Sequence, residues 1–373
     1  MLKLNIIRVK NEDLYIIAVV IINFAYGIWY DAGKVQFLVC LSIFAGLCFL
    51  KILKERIERE KAIYMLFFLI LTLVVSFSNR KISLFVVFMC VWGINKVNIE
   101  RLMKSILLTD IFCFLYTILM WLLGMKNDYT MTYIRLTDNS AVVKHTLGYP
   151  NANMLHQAFF VIVLLCVFCY YKKLNVIWYA TFFITNYLLY KQDASRTGFY
   201  SVIFIVVLTI ISKYSGMFFR IAFNSICYCI LPTCAVVSLW ATITYGKNTL
   251  TIILNSLLQT RVFLAFYHYR RCGIHLFGVP TPEGALDAGY INLLVVYGVV
   301  FFIVILALFE YSIIYSSKKE KKWMIIIASI AFRCLTEANF ISVSVNVAWY
   351  LVGFIIIEYL TKKRKDMNGI TSN

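Results

Sequence analysis

The sequence predicts an all-α polytopic membrane protein with about twelve transmembrane helices. Hydrophobic residues make up 62% of the 373 residues, and the mean hydropathy is +0.81. A soluble domain contains roughly 45–50% apolar residues. The apolar runs are continuous and approach the roughly 20 residues that an α-helix needs to cross a bilayer core. A β-barrel would instead alternate apolar and polar residues in segments of about ten. No stretch is polar enough for a second domain, so residues 1–373 are expected to form a single integral membrane domain.

The net charge of +18 indicates membrane orientation rather than nucleic-acid binding. Most lysines and arginines lie in short segments between apolar runs, such as KERIEREK at 54–61, SSKKEKK at 316–322 and KKRK at 362–365. Such clusters are typical of cytoplasmic loops. Both termini are therefore predicted to be cytoplasmic. The first apolar run lacks a small-residue cleavage site, so it is expected to remain as an uncleaved span.

The apolar runs place the spans in order along the chain. They are predicted at about 14–30, 35–53, 62–77, 82–94, 105–124, 153–170, 174–190, 199–212, 218–244, 290–314, 323–338 and 347–360. This arrangement leaves two long extracytoplasmic loops, at about 125–152 and 246–289. A ten-span alternative omits one of the short pairs and keeps both loops on the same side.

The second long loop contains the densest polar segment of the chain, within 259–298. If 260–275 is helical, four residues at i, i+7, i+10 and i+14 share a face about 80° wide. These residues are Arg261, His268, Arg271 and His275. Arginine binds pyrophosphate through bidentate hydrogen bonds, and histidine can accept a proton from a hydroxyl. The alternative is an interfacial helix whose arginines contact lipid headgroups.

Two residues of this segment, His268 and Asp287, have two interpretations each. His268 lies between two tyrosines and is either a base or a packed aromatic neighbour. Asp287 immediately precedes an apolar run, where a carboxylate is either a second candidate base or a helix cap. Glu283 is expected to be a solvated turn residue.

The first long loop and a short outside turn add further polar residues. Asn151 lies at a predicted helix start, as does the alternative cap Asn153, and His156 follows one turn later. Five arginines lie on the side where the positive-inside rule predicts few: Arg135, Arg196, Arg261, Arg270 and Arg271. Together they indicate an anionic ligand at the outer surface. Near the predicted eleventh span, Arg333 and Glu337 are four residues apart and could pair.

The sequence contains no P-loop, no dinucleotide-binding glycine pattern, no His-Glu-x-x-His and no EF-hand string. No cysteine spacing indicates zinc. We therefore expect neither a cofactor nor a metal. If the protein is an enzyme, the substrate that donates the transferred group is expected to be activated already and to lie in the membrane.

Four segments resemble Wzy-type polysaccharide polymerases, which are related to the O-antigen ligase superfamily. They are LGYPNANMLHQ at 147–157, DASRTGFYS at 193–201, TRVFLAFYHYRRCGIHLFG at 260–278 and LDAGYINLLVVYGVV at 286–300, with a weaker fifth, LTEANFISVSVN, at 335–346. The resemblance implies a glycosyltransferase of the bacterial cytoplasmic membrane. It would join undecaprenyl-pyrophosphate-linked repeat units on the outer face, in capsule or O-antigen assembly, beside a flippase and a chain-length regulator.

In such an enzyme, outside arginines would bind the donor pyrophosphate while a base deprotonates the acceptor hydroxyl. We expect Arg261, Arg271 and Arg196 at the pyrophosphate, then Arg270, with Arg135, Asn151, His156 and His275 as further substrate contacts. His268 is the first candidate base and Asp287 the second.

Two other classes remain open besides an O-antigen-ligase-like transferase. A lipid-linked oligosaccharide flippase would have inverted repeats and ionisable residues near the membrane midplane. The sequence shows no repeat, and Asp110, Glu310 and Glu358 are expected near span ends. A non-catalytic membrane subunit would leave the outside arginines and histidines without a role.

Overall fold

The computed structural model describes residues 10–28, 34–55, 57–134, 141–214, 216–280 and 283–370. Within these ranges the chain forms fourteen α-helices and one antiparallel hairpin. The helices are α1 (Asn11–Ile28), α2 (Lys34–Lys54), α3 (Arg59–Asn79), α4 (Ser83–Gly93), α5 (Ile99–Leu122), α6 (Ala152–Tyr170), α7 (Val176–Asp193), α8 (Arg196–Lys213), α9 (Met217–Ile243), α10 (Thr249–Leu257), α11 (Arg261–Cys272), α12 (Gly289–Ser317), α13 (Lys321–Arg333) and α14 (Ala348–Ile370). The strands are β1 (Met131–Ile134) and β2 (Ala141–Lys144), with Met131 opposite Lys144.

Eight of the described helices are long and apolar enough to cross a membrane: α1, α2, α3, α5, α6, α8, α9 and α12. A ninth crossing results if α10 and α11, which are bent by 115° at their junction, form one broken span. The predicted spans at 82–94, 174–190, 323–338 and 347–360 also contain helices, but these do not meet the same criterion of length and composition. The architecture is thus that of a helical polytopic membrane protein, but the structure does not support the predicted count of twelve spans.

Polar contacts cluster at the two ends of the helix bundle. At the inner end, defined by the helix termini that the sequence places in the cytoplasm, the pairs are Arg101 with Asp13, Asn95 with Glu55, Lys319 with Glu358 and Lys322 with Glu100. At the opposite, outer end, the contacts are Ser78 with Gly278, His145 with Gln192 and Thr197 with Glu337. Residues predicted to share a side of the membrane therefore contact one another.

Asparagines begin several of the helices. The side chains of Asn98, Asn151 and Asn175 accept hydrogen bonds from backbone N–H groups in the first turns of α5, α6 and α7. Asn248 does the same for α10. Asparagine is favoured at this position because its side-chain oxygen satisfies a backbone donor that lacks an intrahelical partner. These caps fix where the apolar runs become helical.

The predicted eleventh span ends earlier than expected, because α13 stops at Arg333. Residues 334–347 form an irregular segment that is buried at the outer end of the bundle. Its backbone is held by side chains: Asn346 and the indole of Trp349 both donate to the carbonyl of Phe340, at 2.8 and 2.6 Å. The segment therefore has a defined shape, and it carries Glu337 and Asn339.

A second irregularity interrupts α12 at Gly298, where φ is 86°. The N–H groups of Val299 and Val300 donate to the carbonyls of His275 and Leu276, at 3.0 and 3.1 Å, rather than within the helix. Gly278 packs against the break so closely that a Cβ there would lie 2.1 Å from the carbonyl oxygen of Val296. The loop after α11 thus completes the hydrogen bonding of α12.

Candidate active site

A cavity of about 730 Å³ opens between α1, α5 and α6, the loops at 125–131 and 144–150, and the segment 337–345. Six of its lining residues carry amide side chains: Asn23, Asn127, Asn151, Asn153, Gln157 and Asn339. Five carry charge: Asp110, Lys126, Lys144, Asp287 and Glu337. The amides supply both donors and acceptors, which is the chemistry that binds sugar hydroxyls. The cavity is the strongest candidate site in the described part of the chain.

Arg261 lies behind the cavity wall and joins its two outer-end carboxylates. Its Nη2 donates to Oε1 of Glu337 over 2.6 Å, and its Nε lies 3.9 Å from Oδ2 of Asp287. The arginine side chain is 5% exposed and that of Glu337 is 10% exposed, so water screens the pair little. Thr197 also donates to Oε1 of Glu337, at 2.9 Å. The glutamate is therefore held from two helices.

The bend between α10 and α11 directs Arg261 towards this pair. Gln259 and Thr260 have φ values of 53° and 66°, a left-handed conformation that produces the 115° bend between the two helices. Asn255 stabilises the turn, because its side chain accepts from the N–H of Phe263 at 2.8 Å and its carbonyl accepts from Thr260 at 2.9 Å. Arg261 is consequently the first residue of α11.

Asp287 faces the cavity with 42% of its side chain exposed. Partial burial, together with the negative charge of Glu337, raises the pKa of this carboxyl, and Arg261 opposes the shift. A carboxyl group whose pKa is raised is a stronger proton acceptor when ionised. The proposed capping role does not apply, since Ala288 occupies the cap position of α12.

Arg333 is a second buried guanidinium next to the cavity. It is 1% exposed, lies 4.5 Å from the centre of the Phe160 ring, and donates to the side-chain oxygen of Gln157 at 3.4 Å. The predicted pair with Glu337 does not form within ion-pair distance, because Glu337 turns to Arg261 instead. Nε and Nη1 of both Arg261 and Arg333 lack hydrogen-bond partners among the described residues. Two guanidiniums therefore lie behind this wall, beside the carboxylates of Asp287 and Glu337.

His156 belongs to a separate buried network and does not line the cavity. Its Nδ1 lies 2.7 Å from Oδ2 of Asp193, and its Nε2 lies 2.7 Å from Oδ1 of Asn186. Asn186 donates through Nδ2 to the carbonyl of Phe199, which orients its oxygen towards the histidine. Both ring nitrogens thus lie within hydrogen-bond distance of a polar side chain. Gly198 makes room for the ring, since a Cβ there would lie 2.5 Å from Cγ of His156.

The predicted four-residue face of α11 is only partly formed. Arg261 and His268 are buried, whereas Arg271 is exposed and contacts the hydroxyl of Tyr267 at 3.4 Å. His275 lies beyond the helix, which ends at Cys272, because the following Gly273 leaves helical geometry. Arg270 is also exposed and lies over the ring of Phe266. The face divides because Arg271 lies in the last turn of α11, beyond its buried residues, and His275 lies after the helix.

His268 is enclosed rather than open to the cavity. It is 1% exposed, contacts the ring of Tyr267 edge to face, and its Nε2 lies 3.2 Å from the carbonyl oxygen of Ala285. Ala285 lies two residues before Asp287. His268, the first candidate base, thus supports the loop that carries Asp287, the second candidate.

The remaining predicted residues lie at different places. Asn151 caps α6 through a 2.9 Å bond from the N–H of Met154 and also lines the cavity. Arg196 begins α8 and is half-buried, next to the threonine that binds Glu337. Arg135 lies outside the described residues. Glu283 is exposed, as predicted for a turn residue.

The first outer loop is organised by Asp128. Its carboxylate accepts from the N–H groups of Thr146 and Leu147 at 2.7 and 3.2 Å and lies 2.6 Å from Nδ1 of His145. Burial opposes this charge, but the hydrogen bonds outweigh it and hold the pKa of Asp128 below its usual range. This ordered loop forms the cavity rim that includes Lys126 and Lys144.

Several residues of the site were not predicted from the sequence. Glu337 was assigned to a local pair, and its contact with Arg261 bridges 76 positions. Asp110 was expected near a span end, but α5 begins at Ile99, which places Asp110 at the middle of a 24-residue helix and in the cavity wall. A carboxylate within an apolar run was the available signal for this residue.

The arrangement can bind polar groups, accept a proton at Asp287 and stabilise negative charge near the two guanidiniums. No group of three or more His, Cys, Asp or Glu side chains that could hold a metal ion occurs in the described ranges. Comparison of the chain with protein-family models, with curated proteins and with solved structures gives no match.

Proposed function

We propose that this protein is a polysaccharide polymerase that joins undecaprenyl-pyrophosphate-linked repeat units at the outer face of the bacterial cytoplasmic membrane. The observation that carries the proposal is the Arg261–Glu337 pair beside Asp287, at the wall of an amide-lined cavity. The cavity combines a proton acceptor, sugar-binding groups and nearby positive charge. The resemblance in segments 147–157, 193–201, 260–278 and 286–300 supports the same chemistry, since each segment contributes a residue to the cavity or its supports.

In the proposed step, Asp287 accepts the proton of an acceptor sugar hydroxyl. The hydroxyl oxygen forms a bond to the anomeric carbon of the donor, and the bond between that carbon and the pyrophosphate oxygen breaks. The lipid pyrophosphate leaves with the electron pair. Negative charge develops on this leaving group, so the nearest cations stabilise the transition state.

The structure changes the assignment of roles within this proposal. Asp287 replaces His268 as the base, because it faces the cavity and His268 does not. Lys126 and Lys144, which line the cavity, are assigned to the pyrophosphate, with Arg261 and Arg333 adding positive charge from behind the wall. Arg270, Arg271 and His275 are exposed at the end of α11, where we assign them to lipid headgroups.

We place both termini in the cytoplasm and the cavity on the opposite side. The lysine clusters at the inner end support this orientation. Within the proposal the four shorter predicted spans are also embedded: exposed apolar side chains on α7, such as Ile177 and Leu188, would face lipid, and α13 is buried against neighbouring helices. Partners would be the lipid-linked glycan, a flippase and a chain-length regulator.

The test compares glycan length in a strain that lacks the gene with the same strain carrying wild type, Asp287→Asn or Glu283→Gln at equal membrane abundance. The proposal expects single lipid-linked units on the outer leaflet in the null strain and with Asp287→Asn. Wild type and Glu283→Gln, whose changed carboxylate is exposed and outside the cavity, should both produce ladders. Ladders of normal length with Asp287→Asn would contradict the assignment of the base.

One observation favours a second candidate, a lipid-linked oligosaccharide transporter. Asp110 lies at the middle of a membrane-spanning helix and lines the cavity, as an ionisable residue of a transport pathway would. The same strains distinguish the candidates. Accumulation of single units on the inner leaflet of the null strain would identify transport as the missing step and contradict polymerisation.

A further inference from the structure

We propose that Asn23 and Asp110 form a sugar-binding subsite at the deep end of the cavity, where they accept hydrogen bonds from hydroxyl groups of the repeat-unit glycan. The inference rests on the proposed function, whose substrate it specifies further. It is carried by the alignment of α1 with α5 and by two buried oxygen atoms that have no donor.

Helices α1 and α5 run parallel and in close contact. Nη1 of Arg101 lies 2.7 Å from Asp13 at the inner end, and Gly27 meets Cys113 further along, where a Cβ on the glycine would lie 2.8 Å from Cβ of Cys113. Asn23 precedes Gly27 by four residues, and Asp110 precedes Cys113 by three. One helical turn is 3.6 residues, so Asn23 and Asp110 lie at the same level on facing sides of the two helices.

Both residues line the cavity and present acceptors without donors. Asn23 is 2% exposed, and its Nδ2 donates to the carbonyl of Val19 at 2.8 Å, which fixes the orientation of the amide. Its Oδ1 is buried without a hydrogen-bond partner, and so is Oδ2 of Asp110, within the described part of the chain. Buried acceptors without donors are costly, and a ligand that donates to both would remove the cost.

The cavity also has a polarity that suits a glycan pyrophosphate. Asp110, Cys113 and Thr117 follow one another along a single face of α5. At the far end of this row, Lys126 contacts the hydroxyl of Thr117 at 3.4 Å. Along this face of α5 the acidic group is therefore deep and the cationic group is near the rim, while Asp287 and Glu337 line the outer end. A ligand with its phosphates at the rim would place sugar hydroxyls beside Asp110.

A sugar fits this subsite better than a metal cation does. Two acceptor oxygens match neighbouring hydroxyls of a pyranose ring, whereas a hard cation such as calcium takes about six to eight oxygen ligands. A hydroxyl that donates to Oδ2 of Asp110 would supply the hydrogen bond that this buried oxygen lacks among the described residues. Loss of this acceptor should consequently weaken binding measurably.

The test uses repeat-unit oligosaccharide released by mild acid from the lipid of the null strain. Its affinity for the purified protein in detergent is measured by the shift of the thermal unfolding temperature with ligand concentration. We expect Asp110→Asn to weaken binding about tenfold, a change of about 1.4 kcal/mol, because the amide replaces one acceptor oxygen with a donor. Glu310→Gln is the matched control, because Glu310 also has a buried oxygen without a partner but lies outside the cavity lining.

Unchanged affinity in Asp110→Asn would overturn the subsite. Binding that disappears when sodium is replaced by N-methylglucamine would overturn it in favour of a cation site. If Asp110→Asn does not fold, Asn23→Ala removes the other acceptor and should weaken binding in the same direction. Failure of wild type to extend lipid-linked units would contradict the proposed polymerase activity. Oligosaccharide binding that depends on Asp110 would still establish the subsite in that case.

Discussion

The Nη2 of Arg261 donates to Oε1 of Glu337 over 2.6 Å, and this single oxygen also accepts the hydroxyl of Thr197. The contact joins the bend before α11 to the irregular segment after α13 and to the start of α8. All three elements contribute to the outer end of the bundle. The ion pair therefore determines the shape of the cavity wall as well as its charge.

Arg261→Ala should destabilise the protein strongly. The substitution leaves Glu337 buried without its cation, and breaking a buried ion pair costs about 3–5 kcal/mol. We expect a lower thermal unfolding temperature in detergent and loss of glycan ladders. Arg271→Ala, on the same helix but exposed, is the control and should unfold like wild type. Equal unfolding temperatures for the two variants would show that the pair is not structurally important.

The acid limb of the pH–rate profile should shift when Glu337 is neutralised. Burial and the charge of Glu337 raise the pKa of Asp287, and Arg261 lowers it. If Asp287 is the base, the rate of chain extension falls as the pH drops through this raised pKa. Glu337→Gln removes the neighbouring negative charge, so we expect the acid limb to move to lower pH.

The sign of the effect on stability is opposite to that on activity. A carboxyl group whose folded-state pKa is raised binds its proton more tightly in the folded chain, so its contribution to stability declines as the pH rises through the shifted value.

The acid limb of the pH–rate profile is measured from extension rates of purified wild type and Glu337→Gln between pH 4 and 8, with lipid-linked units from the null strain. An acid limb that stays in place, or moves to higher pH, would contradict the role of Asp287.

Asp193→Asn should destabilise the outer ends of α6, α7 and α8. Asp193 is fully buried, and it accepts from His156 and from the N–H of Ser195 at 2.8 Å. Asparagine places an NH2 group where one carboxylate oxygen accepted a hydrogen bond, so a buried polar group is left without its partner, at a cost of about 1–3 kcal/mol. Thermal unfolding in detergent measures the loss, and Glu283→Gln provides an exposed carboxylate as control. A loss no larger than that of the control would show that this buried hydrogen-bond network does not stabilise the fold.

The sequence predicted the architecture well because burial in lipid imposes a long apolar run on every spanning helix. It offered Asn151 and Asn153 as alternative caps for α6, and Asn151 takes that position; capping can be predicted because it is local. The pairing of Glu337 was missed because Arg333, four residues away, offered a nearer partner. Only the folded bundle shows that Arg261 reaches it from 76 residues away.

Hydropathy also misplaced residues where helices and loops are irregular. The apolar run before residue 338 predicts a continuous span, yet α13 ends at Arg333. The residues that follow are not helical, and side-chain hydrogen bonds to their own backbone hold them in place. His275 was included in a helical face, but Gly273 ends that helix. Hydropathy does not register either feature, although a glycine such as Gly273 is itself a local signal for the end of a helix.

The contact between Gly278 and the break in α12 provides the last prediction. Gly278→Ala introduces a Cβ that would lie 2.1 Å from the carbonyl oxygen of Val296, at a residue with φ of 80°. Gly246→Ala is a matched control, because Gly246 has φ of 79° and no atom within 4 Å of the added Cβ. Both variants carry the strain of a left-handed alanine, and only the first displaces its neighbour.

We therefore expect Gly278→Ala to separate residues 275–278 from α12 and to expose the N–H groups of Val299 and Val300, which donate to that segment. Amide hydrogen exchange measured by mass spectrometry should rise at residues 299–300 in Gly278→Ala and stay at the wild-type level in Gly246→Ala. If the loop only closes the helix break, glycan ladders should persist in both variants, since neither glycine lines the cavity. Equal protection of residues 299–300 in the two variants would contradict the packing described for the break, because backbone strain alone would then account for both.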